Sequence, residues 1–249
     1  YLQAVDDELN RKPCDAFGGP DRAHESFTPV QKAINYSMTS FFTTGGIRGG
    51  KKKLDKFYPR SFNMGIRAEL YQRLGGFSAM RFGEDIDFSI RIFKSGASCR
   101  LFPEAWVWHK RRTDMKKFFK QVHNSGIARI NLLKRHPGSM KLVHLLPAIF
   151  TAGMACLVLL FVAGLLLIGA NLCGIHCASD ADTGNDMLHV GVLLGYSAIA
   201  CSLIPPVLYS LLIFFDSLMQ NKSVEVALLS IKASFIQLLG YGTGFIRAW

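Results

Sequence analysis

The sequence predicts a basic, mixed α/β soluble domain, then an amphipathic helix, then transmembrane helices. Three observations carry this. Residues 1–141 hold 26 Lys and Arg against 13 Asp and Glu, whereas residues 142–249 hold three against five. Two runs, 142–170 and 187–215, contain no Asp, Glu, Lys or Arg, and each exceeds the roughly 20 apolar residues that cross the hydrocarbon core as a helix. Upstream of them, short periodic segments alternate with Gly- and Pro-rich punctuation, as helices and strands do when they take turns. The chain therefore divides into a soluble part, 1–112, a basic amphipathic region, 113–141, and a membrane part, 142–249.

In the soluble part, Tyr1–Val5 reads as the end of an element, which suggests the C-terminal part of a larger protein. Val30–Phe42 suits a helix, and Gly45–Lys56, rich in Gly and Lys, reads as a mobile loop. Phe62–Ile66 reads as a strand. Arg67–Leu74 reads as a helix closed by Gly75-Gly76, and Glu84–Ser95 as a helix closed by Gly96. Cys99–Phe102 and Ala105–Trp108 read as strands. Met115–Leu133 predicts a basic helix carrying Phe118, Phe119, Val122, Ile127, Ile130 and Leu133, a pattern suited to lying on a membrane surface.

In the membrane part the spans are predicted at about 146–170 and 188–215. Pro147 stands where a helix start tolerates it, and Pro205-Pro206 should kink or break the second run. The segment between the runs, 171–186, has three Asp and no Lys or Arg, and basic residues from Lys110 to Lys141 precede the first run. The positive-inside rule then places the soluble domain in the cytoplasm and the acidic loop outside. Residues 224–246 predict a third span, although Glu225 and Lys232 leave a helix in the interface open. The six cysteines are too scattered for a disulfide framework. Cys173 and Cys177 alone are close, and either unpaired thiols or a local disulfide is compatible with their spacing. Lys51–Lys53 and Lys110–Arg112 come with no nucleic-acid motif, so anionic lipid is the partner they suggest, and no nucleic acid is expected.

The densest chemical signal runs from Leu74 to Ala97. A Gly pair lets backbone approach a ligand closely, and Glu84, Asp85 and Asp87 then open a helix whose dipole favours their charge. A carboxylate in that position can act as a general base; acidic residues also simply cap many helices, and the residues alone leave both readings open.

The string from Gly75 to Gly96, GGF followed by GEDIDFSIR and closed by a later glycine, resembles the acceptor-side motif of family 2 glycosyltransferases of the GT-A fold, the nucleotide-diphospho-sugar transferase fold. Gly18-Gly19-Pro20-Asp21 resembles the turn that follows the donor-binding half, and Val107-Trp108-His109 the segment that carries a C-terminal metal-binding His. Residues 119–147 resemble the interface helix and first span of exopolysaccharide-type members such as the succinoglycan glycosyltransferases. The resemblance implies the C-terminal half of a GT-A domain in a multi-pass protein of the bacterial cytoplasmic membrane, acting in polysaccharide biosynthesis. It implies Asp85 as the base that ionises the acceptor hydroxyl and Glu84 as its partner. Gly75, Gly76, Gly18, Gly19, Asp21, Arg91, Gln121 and Arg129 are implied in substrate binding, Arg91 also as an ion-pair partner within its helix. His109 is implied as ligand to a divalent ion, Mg or Mn.

Two departures matter. The family's DxD metal motif has no counterpart before the Gly-Gly-Pro turn, since Asp85-Ile86-Asp87 and Asp180-Ala181-Asp182 lie elsewhere; the main ligand is expected upstream of Tyr1. The QxxRW signature of processive synthases is absent, because Gln121 is followed by Val-His-Asn-Ser-Gly, which implies transfer of a single sugar. The expected activity is inverting transfer from a nucleotide-sugar donor to a lipid-linked or membrane-proximal glycan. The alternatives are a processive polysaccharide synthase and a non-enzymatic basic membrane-anchored binding protein.

Overall fold

The computed structural model describes residues 1–44, 57–177 and 184–249, with the side chains of 174–188 outside the description. The Gly45–Lys56 loop, residues 178–183 of the aspartate-bearing loop and the state of Cys177 therefore lie outside the description.

The first element, α1 (Leu2–Arg11), continues well past the expected Tyr1–Val5. Ala4, Val5 and Leu9 pack against the cluster of Cys14, Phe102 and Ala105, and Arg100 Nη2 holds Glu8 Oε2 at 2.6 Å. Its apolar face is thin, which is why the sequence pattern hid it. Then β1 (Ala16–Gly18) forms the centre of a three-stranded sheet, antiparallel to β3 (Met64–Ile66) and parallel to β4 (Cys99–Leu101). A second, two-stranded sheet pairs β2 (Asp21–Arg22) in parallel with β5 (Val107–Trp108). β3, β4 and β5 are shorter than the expected runs but fall inside them, whereas β1 and β2 were not expected from the sequence.

Between the strands, α2 (Pro29–Thr39) starts at a reciprocal cap: Thr28 accepts from the Gln31 backbone while the Gln31 side chain accepts from the Thr28 N–H. Ser40 interrupts it before α3 (Phe41–Thr44). α4 (Ala68–Arg73) ends at Gly75 and Gly76, both at positive φ, and α5 (Glu84–Lys94) begins at Gly83 and is followed by Gly96, again both at positive φ. Phe88 and Ile92 of α5 are fully buried with Ala16 and Leu70.

The second half is helical. α6 (Met115–Arg135) is followed by α7 (Leu146–Cys177), α8 (Gly184–Asn221) and α9 (Val224–Ala248). Segments Leu146–Cys173, His189–Asn221 and Val224–Ala248 are each long and apolar enough to cross a membrane. α7 and α8 pair closely where a side chain on Gly164 or Gly195 would meet the other's backbone carbonyl, the small-residue contact that membrane helices favour. α8 runs unbroken through Pro205 and Pro206, so the expected break does not occur; membrane helices tolerate the freed carbonyls when local groups compensate.

The soluble and membrane parts share one core. Ala33, Ile34 and Met38 of α2, Phe118 and Val122 of α6, and Val226 and Ala233 of α9 are buried together. Tyr36 Oη donates to Asp216 of α8 at 2.5 Å. Backbone contact between α6 and α9 depends on glycine: a Cβ on Gly126 would meet the Tyr241 carbonyl and the Phe245 N, and one on Gly244 the His123 carbonyl. Gly126→Leu should therefore destabilise the protein by about 3 kcal/mol or more, the upper end for overpacking, read as a lowered thermal midpoint in detergent. Gly153→Ala, where a Cβ meets nothing, should be neutral or stabilising by about 0.5–1 kcal/mol.

Candidate functional site

Asp85 stands in the first turn of α5, with its side chain 15% exposed. Its Oδ1 accepts the Ile86 N–H at 2.8 Å. Arg60 Nη1 approaches Oδ2 only to 3.5 Å, the outer limit of a hydrogen bond, so that oxygen keeps the capacity to accept another donor. Glu84, half-buried beside it, makes no hydrogen bond or ion pair among the described residues.

The turn that brings Arg60 to Asp85 is tied into both sides of the site. Arg60 and Asn63 close it as a β-bridge. Buried Ser89 of α5 donates to the Pro59 carbonyl at 3.1 Å. Buried Asn63 donates to the Ala105 carbonyl at 2.8 Å and accepts from the Tyr1 hydroxyl at 2.8 Å. Its neighbour Gly19 has no room for a side chain, since a Cβ would meet the Ala105 carbonyl, and Gly18 is closed in by Phe57 and Pro59. Between them, Phe62 lies against His109 with ring centroids 4.2 Å apart. One four-residue turn thus joins the Asp85 helix to the Gly18-Gly19-Pro20 turn and to the Trp108-His109 strand.

Around His109 the charges are paired. Asp21 Oδ2 accepts from Arg111 Nη1 at 2.5 Å and stands 3.4 Å from His109 Nδ1. Burial opposes the Asp21 charge, but His109 and Arg111 outweigh it and hold this carboxyl well below the usual range. Arg111 is 7% exposed, and α2 fixes it through Asn35 Oδ1 at 3.0 Å and Gln31, which donates to its carbonyl. The implied divalent ion does not fit this donor set: the buried Arg111 guanidinium already engages both Asp21 Oδ2, at 2.5 Å, and His109 Nδ1, at 3.3 Å, and the described residues hold no group of three or more His, Cys, Asp or Glu able to bind a metal. Nearby, Trp108 is 53% exposed and stacks edge-on with Trp106 and His24.

The remaining expected residues are placed apart. Gly75 and Gly76 form the turn behind α5, and Arg91 holds it, donating to the carbonyls of Leu74 and Gly76 at 2.6 Å each. Gln121 accepts from Arg112 Nε at 3.1 Å. Arg129 faces His144, whose pKa burial and this arginine lower to about 4. Neither of these two is brought to Asp85.

Sequence reasoning missed the most heavily bonded acid. Asp87 is fully buried. It accepts from Arg91 Nε at 2.9 Å, Arg135 Nε at 3.0 Å and His136 Nε2 at 2.8 Å. Lys94 Nζ lies 3.2 Å from His136 Nδ1, which fixes the tautomer with the proton on Nε2, aimed at Asp87. Burial opposes the Asp87 charge, but the hydrogen bonds from His136 and Arg91 hold its pKa below the ordinary value. The spacing of Asp87 and Arg91 signalled a helical ion pair; nothing local signalled His136. Beside this network a cleft of about 340 Å³ is lined by Ala79, Met80, Arg81, Phe82, Asn131 and Arg135, and Asp85 does not line it.

Asp87→Asn leaves Arg91 and Arg135 facing a neutral group and should cost about 3 kcal/mol at neutral pH, the lower end for breaking a buried pair because Arg135 is half exposed. With the folded-state pKa depressed, this stabilisation is complete above the unfolded value of about 3.9 and fades as pH falls through the native one. Wild type should therefore lose stability below about pH 4 more steeply than the variant, as read by thermal unfolding across pH.

A family model described as glycosyl transferase family group 2 matches residues 62–215, more than half of the chain. The matched stretch includes Phe62, Gly75, Gly76, Asp85, His109, α6, α7 and most of α8. No curated protein and no solved structure matches the chain.

Proposed function

The chain belongs to glycosyl transferase family group 2 and is a glycosyltransferase; from that premise we propose that it transfers one sugar, with inversion, from a nucleotide-sugar donor to a lipid-linked or membrane-proximal glycan, using Asp85 as general base. The observation that carries this is the state of the Asp85 carboxylate. It is partly open, its outer oxygen is only loosely held, and it shares one turn with the Gly-Gly-Pro and Trp-His segments.

The chemistry follows. Asp85 Oδ2 takes the proton of the acceptor hydroxyl as that oxygen bonds to the anomeric carbon and the bond to the departing diphosphate breaks. Attack from the face opposite the leaving group inverts the centre. The transition state has oxocarbenium character, as in glycoside hydrolysis. Arg60, one third exposed at 33%, fixes the carboxylate's direction without closing it. In this reading Glu84 shapes the acceptor pocket, and Gly18, Gly19, Gly75 and Gly76 let backbone come close to substrate. Arg91 acts by holding the second glycine turn, and the fold belongs to the C-terminal half of a GT-A domain.

A membrane-bound acceptor is supported by the shared core of α2, α6 and α9, which fixes the soluble domain directly against the apolar helices. The basic face of α6 suits an anionic, cytoplasmic membrane surface of the bacterial type.

Asp85→Asn removes the base while keeping the shape of the side chain. It should lower kcat by roughly 10²–10⁴ with little change in KM or thermal stability; transfer at near wild-type rate would remove this residue from the mechanism. Mass analysis of the products formed with excess donor should show a single added sugar per acceptor, and a ladder of additions would assign a processive synthase instead.

A further inference from the structure

The three apolar helices are not equivalent in the fold. The most apolar windows of the first two have mean hydropathy 2.6 and 2.1 and are 6% and 11% buried, as expected of spans that face lipid; that of α9 has 1.4 and is 39% buried. α9 is buried by α2 and α6 on one side and by the near ends of α7 and α8 on another. Val226 and Ala233 share the core with α2 and α6. Gly240 lies over Phe119 and Val122, Gly244 against the His123 backbone, and Lys134 donates to the Ala248 carbonyl at 2.9 Å. These contacts extend from residue 226 to residue 248, about 33 Å along the helix axis, equal to the whole hydrocarbon thickness of about 30 Å.

A helix held in one core with α2 near its start and packed on α6 from Gly240 to Ala248 can cross the bilayer only if these elements of the soluble side cross too. α6 carries Lys116, Lys117, Lys120, Arg129, Lys134 and Arg135 in 21 residues. Each such charge costs about 2.5–3.5 kcal/mol at the bilayer centre even on the mildest scale. The contacts of α9 with α7 and α8 give the same answer. It touches α7 at Pro147, Phe150 and Thr151, within the first turns of that helix. It touches α8 at Tyr209 and Ser217 and along an apolar cleft that reaches back to Leu203. The far halves of α7 and α8 pair with each other, through Gly164 with Gly195 and Asn171 with Gly191.

We infer that α9 lies in the plane of the membrane surface, on the same side as the soluble domain, across the base of a two-span hairpin formed by α7 and α8. This replaces the third span expected from its length and composition. The lane left free on α9, with Glu225, Leu228, Lys232, Thr243 and Ile246 exposed, mixes charge with apolar surface and meets the lipid headgroup layer, where both are accommodated. Arg247 and Trp249 at its end are the residue types that anchor in that layer. The carboxyl end of α9 is then on the catalytic side.

The test uses the full chain in sealed membrane vesicles of each orientation, with one epitope tag ahead of Tyr1 and another after Trp249. Thiols at the far end of α7, Cys173 among them, are probed with a membrane-impermeant maleimide. In vesicles that expose the soluble domain, protease should remove both tags while the maleimide leaves Cys173 unmodified; in the opposite orientation both tags should survive and Cys173 should react. Tags found on opposite sides would overturn the in-plane assignment. Tags and Cys173 all on one side would overturn the two-span hairpin on which it rests. Neither outcome depends on sugar transfer, so the result is independent of the proposed reaction.

Discussion

One buried carboxylate, Asp87, holds the helix that bears Asp85 to the end of α6. Asp87 has no exposed surface, yet it is charged, because Arg91, Arg135 and His136 all reach it. Arg91 belongs to α5 itself, whereas Arg135 and His136 end α6. The network therefore fixes the axis of α5 on the last turn of α6, and α6 is in turn packed along α9 through glycine contacts that admit no side chain. A buried ion pair is a poor source of net stability but a strong penalty on every arrangement that separates its members. Here that penalty fixes one placement of the helix bearing Asp85 relative to the membrane surface.

The same helix explains why two carboxylates two residues apart behave so differently. Consecutive helical residues are separated by about 100°, so Asp85 and Asp87 point roughly 200° apart. With Asp87 turned into α6, Asp85 is turned to the opposite side, where the Arg60–Asn63 turn waits. Gly83 makes this possible at the start of α5. It adopts φ 82°, and its Cβ position is only 3.2 Å from Ala128 of α6, so the chain enters the helix while in contact with the element that Asp87 grips.

Much of the architecture was legible because it rests on local chemistry. Gly75-Gly76 and Gly96 ended helices where a left-handed residue was needed, and the long uncharged runs became α7 and α8. The helical reading of Met115–Leu133 also matches α6 to within two residues. What was hidden is long-range. His136 reaches Asp87 across 49 positions and Asn63 reaches Ala105 across 42, and no periodicity encodes such meetings. Of the kink or break expected at Pro205-Pro206, the break does not occur, because an apolar surrounding offers the freed carbonyls no better alternative than the helix. If α9 lies in the plane of the membrane, as inferred above, its composition resembles a span because burial against protein and burial in lipid select the same apolar residues. The glycines at 240, 242 and 244 distinguish the two only once their neighbours are known: Gly242 faces Pro147 and Thr151 of α7, and the other two face α6.

The arrangement of cations follows from the same division between held and open groups. Arg111 is buried and committed to Asp21, so it serves the fold of the His109 strand. Arg60 is partly exposed and only loosely engaged with Asp85, so its guanidinium can adjust when a hydroxyl or a sugar approaches. In the proposed reaction, a tight Arg60–Asp85 pair would compete with the acceptor for the oxygen that takes its proton. A missing one would leave the carboxylate free to rotate out of line, and effective general-base catalysis needs the oxygen within hydrogen-bond reach of that proton. The 3.5 Å separation lies between these extremes. It is available because Ser89 and Asn63, not the ion pair, hold the turn in place.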